Sequence, residues 1–143
     1  MAKQQTDGPG LAARLAIGGV AGVAATLVFA STVRRLQGGR ANARDTLASS
    51  IRLGDFAYGA AFGAFLAATN PRLGRLTGAL AGGGLWLAGE AGLLPRLTVR
   101  PATGAAPGSA VLLAGHLAWG WSAAEAIQRA ADAHAAVRST LSA

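Results

Sequence analysis

The sequence predicts an all-α fold, a compact four-helix transmembrane bundle with glycine-rich contacts between its helices. Four long runs that are almost free of charge divide the chain, and most basic residues gather in the gaps between these runs. Charged residues make up only 13% of the chain, whereas soluble domains average about 25%. Gly accounts for 21 of the 143 residues, which is about twice its usual share. These proportions favour tightly packed apolar helices over a disordered chain.

The four nearly uncharged runs give the predicted membrane spans. The first run holds 19 residues without a charge, and its polar side chains are few. A helix of about 20 residues crosses a bilayer core of about 30 Å, so this run is the strongest candidate. A soluble helical bundle is the alternative, but its helices should carry polar residues at every third or fourth position on an outer face. The predicted spans cover residues 15–33, 53–69, 76–94 and 108–126.

The rest of the chain divides around this membrane domain, which we place at 11–128. Residues 1–10 are predicted to form a flexible polar tail, and 129–143 a polar helical tail that continues the fourth span. In the segment 36–52, apolar residues recur at every fourth position beside arginines. This pattern fits either a short helix at the lipid interface or an ordinary polar connector.

Small residues at every fourth position predict where the helices pack. Lipid is as apolar as a Leu side chain, so membrane helices associate through close backbone approach and polar contacts. Three of the four predicted helices carry a pair of glycines at this spacing, which predicts a tight bundle with little space inside. The predicted packing glycines are Gly18, Gly22, Gly59, Gly63, Gly78 and Gly82.

Four titratable residues in or near the spans are candidates for a polar intramembrane site, namely Asp55, Glu90, His116 and Glu125. A carboxylate is costly in the bilayer centre and less so near the headgroups. The acids therefore lie either at the interface, paired with loop arginines, or between helices. We expect His116, near the middle of its span, to form a hydrogen bond with a neighbouring helix; the partners considered are Thr26, Ser31, Tyr58 and Glu90.

Aromatic residues and net charge point to a lipid surface. Indole rings prefer the headgroup level, so Trp86, Trp119 and Trp121 are predicted interface anchors. The net charge is +7, and the basic residues do not form a single patch with interleaved aromatics, which disfavours nucleic acid as a partner. The chain has no Cys, two His and no known catalytic or nucleotide-binding motif. We therefore expect no metal, no cofactor and no catalytic residue.

One segment of the fourth predicted span resembles a known protein family. The residues that carry this resemblance are Gly115, His116, Leu117, Trp119, Trp121 and Ser122, with Glu125 after them. The segment is similar to the YagU-like family of bacterial inner-membrane proteins of unknown function. Weaker similarity lies at Gly92, Leu93 and Pro95, and at 21–23. After its first helix the family has a stretch with Lys-Trp-Gly and Pro-Pro-Arg, and this chain has residues 31–40 in its place. The family's long insert between the first two helices is also absent from this chain. The resemblance implies a helical protein of the bacterial inner membrane and implies no reaction.

Two functions from different classes follow. The first is a small multi-pass membrane protein that acts by helix association, as a subunit or scaffold of a membrane complex or as a homo-oligomer. The alternative is an oligomeric proton or solute transporter or channel that uses Asp55, Glu90 and His116. An enzyme ranks third. The positive-inside rule gives no clear orientation, because the first and third loops hold seven basic residues and the two tails with the second loop hold six. The density of arginines in the first loop slightly favours an orientation with that loop in the cytoplasm.

Overall fold

The computed structural model of the chain describes residues 9–38, 53–70, 72–93 and 107–141. Over these ranges the protein is built from four α-helices and contains no strand. The helices are α1 (Leu11–Leu36), α2 (Leu53–Thr69), α3 (Arg75–Glu90) and α4 (Ser109–Leu141). The all-α prediction is therefore confirmed for this part of the chain. Most of the predicted 1–10 tail and most of the 36–52 segment lie outside the described residues.

Helix α1 begins and ends at glycine-containing turns. Gly10 precedes its first turn without a side-chain cap, and Arg14 Nε donates a hydrogen bond of 2.8 Å to the Pro9 carbonyl. Arg34 and Arg35 lie in the last turn, where a positive charge is favourable beside the free carbonyl groups of a helix. Gly38 follows with a φ of 77°, a left-handed conformation that suits glycine and ends the helix.

Helix α3 ends earlier than the predicted span 76–94. Gly92 adopts a φ of 71°, and the Leu93 amide donates to the Ala88 carbonyl at 2.9 Å. This is the six-residue hydrogen bond of a Schellman motif, which closes the helix after Glu90. The helix therefore has 16 residues, which corresponds to a length of about 24 Å.

The helices form two antiparallel hairpins that are joined side by side. Helix α1 packs against α2, α3 packs against α4, and the two hairpins meet through α1 and α4. Over the described residues, α2 and α3 do not pack against each other. The order in space is therefore α2, α1, α4, α3, which leaves an open side between the outer helices where a closed four-helix bundle would have a fourth interface.

The core consists mainly of small residues, and many large apolar residues point outward. Ala25, Ala67, Ala123 and Ala124 are at most 1% exposed. By contrast, Leu and Val side chains on the helix surfaces are widely exposed, with Val20 the extreme case in α1 at 73%. Small residues inside let the backbones approach closely, which is the packing that an apolar solvent favours.

By length and composition, α1 is the one described helix that could cross a membrane. Helices α2 and α3 have 17 and 16 residues, which is short for a full span. The described residues thus contain one candidate span, and the multi-pass arrangement belongs to the proposal below.

Candidate functional site

The contact between α1 and α2 is made by backbone atoms at two pairs of facing glycines. A Cβ atom added to Gly18 would lie 2.7 Å from the carbonyl carbon of Gly63, and one added to Gly22 would lie 2.6 Å from that of Gly59. Both distances are shorter than real side chains tolerate, so only glycine fits at these positions. Next to this contact, the Thr26 hydroxyl is buried and donates to the Gly22 carbonyl at 2.9 Å.

The contact between α3 and α4 is also made by glycines of one helix, Gly78 and Gly82 of α3. They face the α4 backbone at one glycine, Gly120, and at His116. A Cβ atom at Gly78 would lie 3.2 Å from the carbonyl carbon of Gly120, and one at Gly82 would lie 2.9 Å from that of His116. All six glycines singled out in the sequence therefore lie against the backbone of another helix. Gly120 was missed, although it stands four residues before Ala124, the same spacing of small residues.

The contact between α1 and α4 includes Gly115, which the four-residue spacing of glycines does not reveal. A Cβ atom at Gly115 would lie 2.7 Å from Phe29 Cε2 and 2.8 Å from Val33 Cγ2. Large side chains of α1 therefore lie over a glycine of α4. No glycine stands four residues before or after Gly115, so the spacing rule gave no signal here.

The expectation that His116 bonds to a neighbouring helix is wrong. Its Nδ1 lies 2.8 Å from the carbonyl oxygen of Leu112, one turn earlier in α4. The ring meets Phe29 of α1 edge to face, with centroids 4.9 Å apart. Of the partners considered, Thr26 and Ser31 each donate to a carbonyl of their own helix. A backbone carbonyl within reach of the side chain competes with any partner on another helix.

The four candidate polar residues do not form one site. Asp55 is buried in the first turn of α2, where the helix N-terminus favours a carboxylate. Glu90 is exposed at the end of α3, a helix that does not pack against α2. Glu125 stands nine residues beyond His116 in α4, about 13 Å farther along the helix axis. The structure therefore distributes these groups over both ends of the molecule.

The three tryptophans have different surroundings, so they cannot act alike. Trp119 is only 5% exposed and belongs to the core, which corrects its predicted role as an interface anchor. Trp86 is partly buried, and its Nε1 atom is buried without a hydrogen-bond partner among the described residues. Trp121 is 47% exposed. Only Trp121 presents a large part of its ring outward in the way that an interface anchor requires.

Trp121 lies beside a group of charged side chains that we call the basic cluster, formed by Arg75, Glu125 and Arg129. Arg75 opens α3, and its Nη2 donates to Glu125 Oε1 at 2.8 Å while its Nε contacts Oε2. Arg129 Nη2, one turn beyond Glu125 in α4, lies 2.7 Å from Oε1. The Arg75 guanidinium lies 6.0 Å from the centre of the Trp121 ring. The sequence singled out Glu125 and Trp121 but not the two arginines.

No protein-family model, curated protein or solved structure matches this chain. Among the described residues, no three His, Asp or Glu side chains are close enough together to hold a metal ion.

Proposed function

We propose that all four helices span a membrane, and that the protein acts by helix association as a subunit or scaffold of a membrane complex. The observation that carries this proposal is the distribution of charge. Charged side chains of the described helices stand only toward helix ends or in the part of α4 from Glu125 onward. The uncharged stretches between them cover 15–33, 56–69, 76–89 and 109–124.

The uncharged stretches are short for four spans, but the chain offers ways to compensate. At 1.5 Å per residue they extend about 21 to 28 Å, against about 30 Å for a bilayer core. Arginine side chains at the ends can reach the headgroups while their methylene groups stay in the apolar layer. A bilayer also thins locally around short spans at modest cost.

Three of the helices expose large apolar side chains along this band. Large apolar side chains that are widely exposed include Leu27 on α1, Phe65 on α2, and Leu80 on α3. In water such a surface would promote aggregation, whereas lipid tails or partner helices would cover it without cost. The open side between α2 and α3 offers further surface for a partner helix of a membrane complex.

Helix association is favoured over transport. A conduction path through Asp55, Glu90 and His116 would need these groups along one route, but Asp55 and Glu90 lie on helices that do not pack together. The glycine contacts, by contrast, bring helix backbones together and leave little space inside. The resemblance to the YagU-like family, and with it location in a bacterial inner membrane, remains part of this proposal.

Cysteine labelling tests the four-span arrangement directly, because the chain has no native Cys. We expect Gln37→Cys and Leu93→Cys to react with a membrane-impermeant maleimide from one side of the membrane, and Asn70→Cys and Ala133→Cys from the other. Leu27→Cys, in the middle of the uncharged band, serves as the unreactive control in intact membranes. Labelling of Asn70→Cys, Leu93→Cys and Ala133→Cys from the same side would show that α1 alone crosses.

A further inference from the structure

The basic cluster has its cationic groups outside and its carboxylate inside. The Glu125 side chain is 17% exposed, whereas those of Arg75 and Arg129 are 52% and 78% exposed. Glu125 therefore holds two guanidinium groups side by side but neutralises only one of their two charges. The contacts with Glu125 occupy only some of the N–H donors of the two arginines. A cationic face with hydrogen-bond donors remains accessible.

This face borders an open depression of about 450 Å³. Its lining combines the basic cluster with the exposed ring of Trp121 and the side chain of Ser122. Guanidinium groups match the geometry of phosphate oxygens and bind them through paired N–H···O bonds. The depression therefore offers what a phosphate monoanion requires, namely fixed cationic donors beside a ring that prefers the membrane interface.

The surroundings distinguish a lipid phosphate from a free phosphate ion. Leu76 and Leu80 of α3 are one turn apart, and they are 69% and 65% exposed. They lie farther around the helix than Arg75, on the outer surface of α3, so a lipid bound at the cluster would have exposed apolar surface next to it. Arg72 of the α2–α3 connection, also exposed, adds positive charge at this end of the molecule.

We propose that the basic cluster binds the phosphate headgroup of an anionic phospholipid, with Trp121 beside the headgroup and the acyl chains against the neighbouring exposed apolar surface of α3. This inference rests on the proposed membrane-spanning function. It assigns to one end of the α3–α4 hairpin a lipid site that is separate from the glycine contacts between the helices.

Native mass spectrometry of the full chain in detergent, titrated with phosphatidylglycerol or phosphatidylcholine, tests this site. We expect the chain to retain phosphatidylglycerol preferentially. The double variant Arg75→Gln/Arg129→Gln should retain it about tenfold less well, as expected for the loss of charge-assisted hydrogen bonds. Arg129→Gln alone, at a largely exposed position, should show part of this loss without affecting folding.

The matched control is Arg34→Gln/Arg35→Gln, which removes the same charge from the last turn of α1, at the opposite end of the molecule from the basic cluster. This control should retain phosphatidylglycerol nearly as well as the native chain. Equal losses in both double variants would show that net charge, and not the cluster, attracts lipid, and would overturn the proposal. A large excess of inorganic phosphate should not displace the lipid. Displacement by phosphate would identify an ion site instead of a lipid site.

The cysteine labelling described above separates this inference from the proposed function. If labelling shows that α1 alone crosses the membrane, the four-span function is wrong and the lipid site is wrong with it. If labelling shows four spans but Arg75→Gln/Arg129→Gln retains phosphatidylglycerol as well as the native chain, only the lipid site is wrong.

Discussion

Single glycines determine how close the helices of this protein can come to each other. Across α1 and α2, and again across α3 and α4, the space that a Cβ atom would need is filled by the backbone of the facing helix. Other glycines have no such neighbour. Gly84 and Gly89 of α3 have nothing within 4 Å of an added Cβ atom. The same residue type therefore makes opposite contributions to stability within one helix.

Two alanine substitutions in α3 measure this difference. Gly82→Ala should lower the free energy of unfolding by about 1–3 kcal/mol, because the new methyl group overlaps the His116 backbone. Gly84→Ala, two residues away in open space, should raise it by about 0.5–1 kcal/mol, because alanine favours a helix more than glycine does. Denaturant titration in detergent measures both values. Shifts of the same sign and size would contradict the close contact.

His116 offers a second test at this scale. Its ring bonds to a carbonyl of its own helix and contacts Phe29 through its edge. His116→Leu keeps most of this apolar contact, so we expect a loss of less than about 1 kcal/mol. His116→Ala should cost about 2 kcal/mol or more, because it leaves a cavity beside Phe29. A larger loss for His116→Leu than for His116→Ala, in the same denaturant titration, would point to an essential polar partner.

The sequence predicted the residues that form contacts between helices only where a simple spacing revealed them. Glycines four residues apart indicated the faces of α1, α2 and α3 that pack. Gly115 has no glycine at that spacing, and its importance depends on Phe29 and Val33 of another helix. The arginines of the basic cluster were likewise hidden, because Arg75 and Glu125 are 50 residues apart in sequence.

At the scale of elements, α4 changes character along its length. Up to Ile127 it contributes buried residues to the core, but most positions from Asp132 onward are exposed. The continuation of the helix was expected from its Ala-rich sequence, since alanine has the highest helix propensity. The early end of α3 was not expected, because apolar residues continue beyond Glu90. The helix ends where Gly92 adopts a left-handed conformation, which the apolar pattern does not reveal.

Proline substitutions distinguish the two parts of α4. Ala123→Pro should destabilise the protein by about 3 kcal/mol or more, because proline removes a helix hydrogen bond within the buried part. Ala135→Pro breaks the helix where its side chains are exposed, so the melting temperature in detergent should change little. A comparable drop in melting temperature for both variants would show that the end of α4 contributes to the folded domain.

At the scale of the whole molecule, the order of the helices is a consequence of which pairs pack. All four helices carry small residues, so the sequence predicted close packing without showing which helices are neighbours. A compact bundle was the simplest expectation. The structure instead places α1 and α4 at the centre and leaves α2 and α3 apart.

Disulfide cross-linking checks this order in the otherwise Cys-free chain. In a Phe29→Ala background, which removes the ring that would overlap a side chain at position 115, Val33→Cys/Gly115→Cys should oxidise readily, because an added Cβ atom at Gly115 lies 2.8 Å from Val33 Cγ2, within the reach of a disulfide. Phe65→Cys/Leu80→Cys, on the outer helices α2 and α3, should not form an intramolecular disulfide. Mobility in non-reducing gels reports both. Efficient cross-linking of the second pair would indicate a closed bundle.

The separation of α2 from α3 also sets the order in which the molecule can assemble during synthesis. Each hairpin pairs helices that are consecutive in the chain, so its glycine contacts can form as soon as its second helix has left the ribosome. Helix α1 must wait for α4, the last helix to be made, before Val33 is covered by the contact at Gly115. Until then the nascent first hairpin presents an unoccupied docking face, and an unrelated helix with a suitable surface could occupy it first.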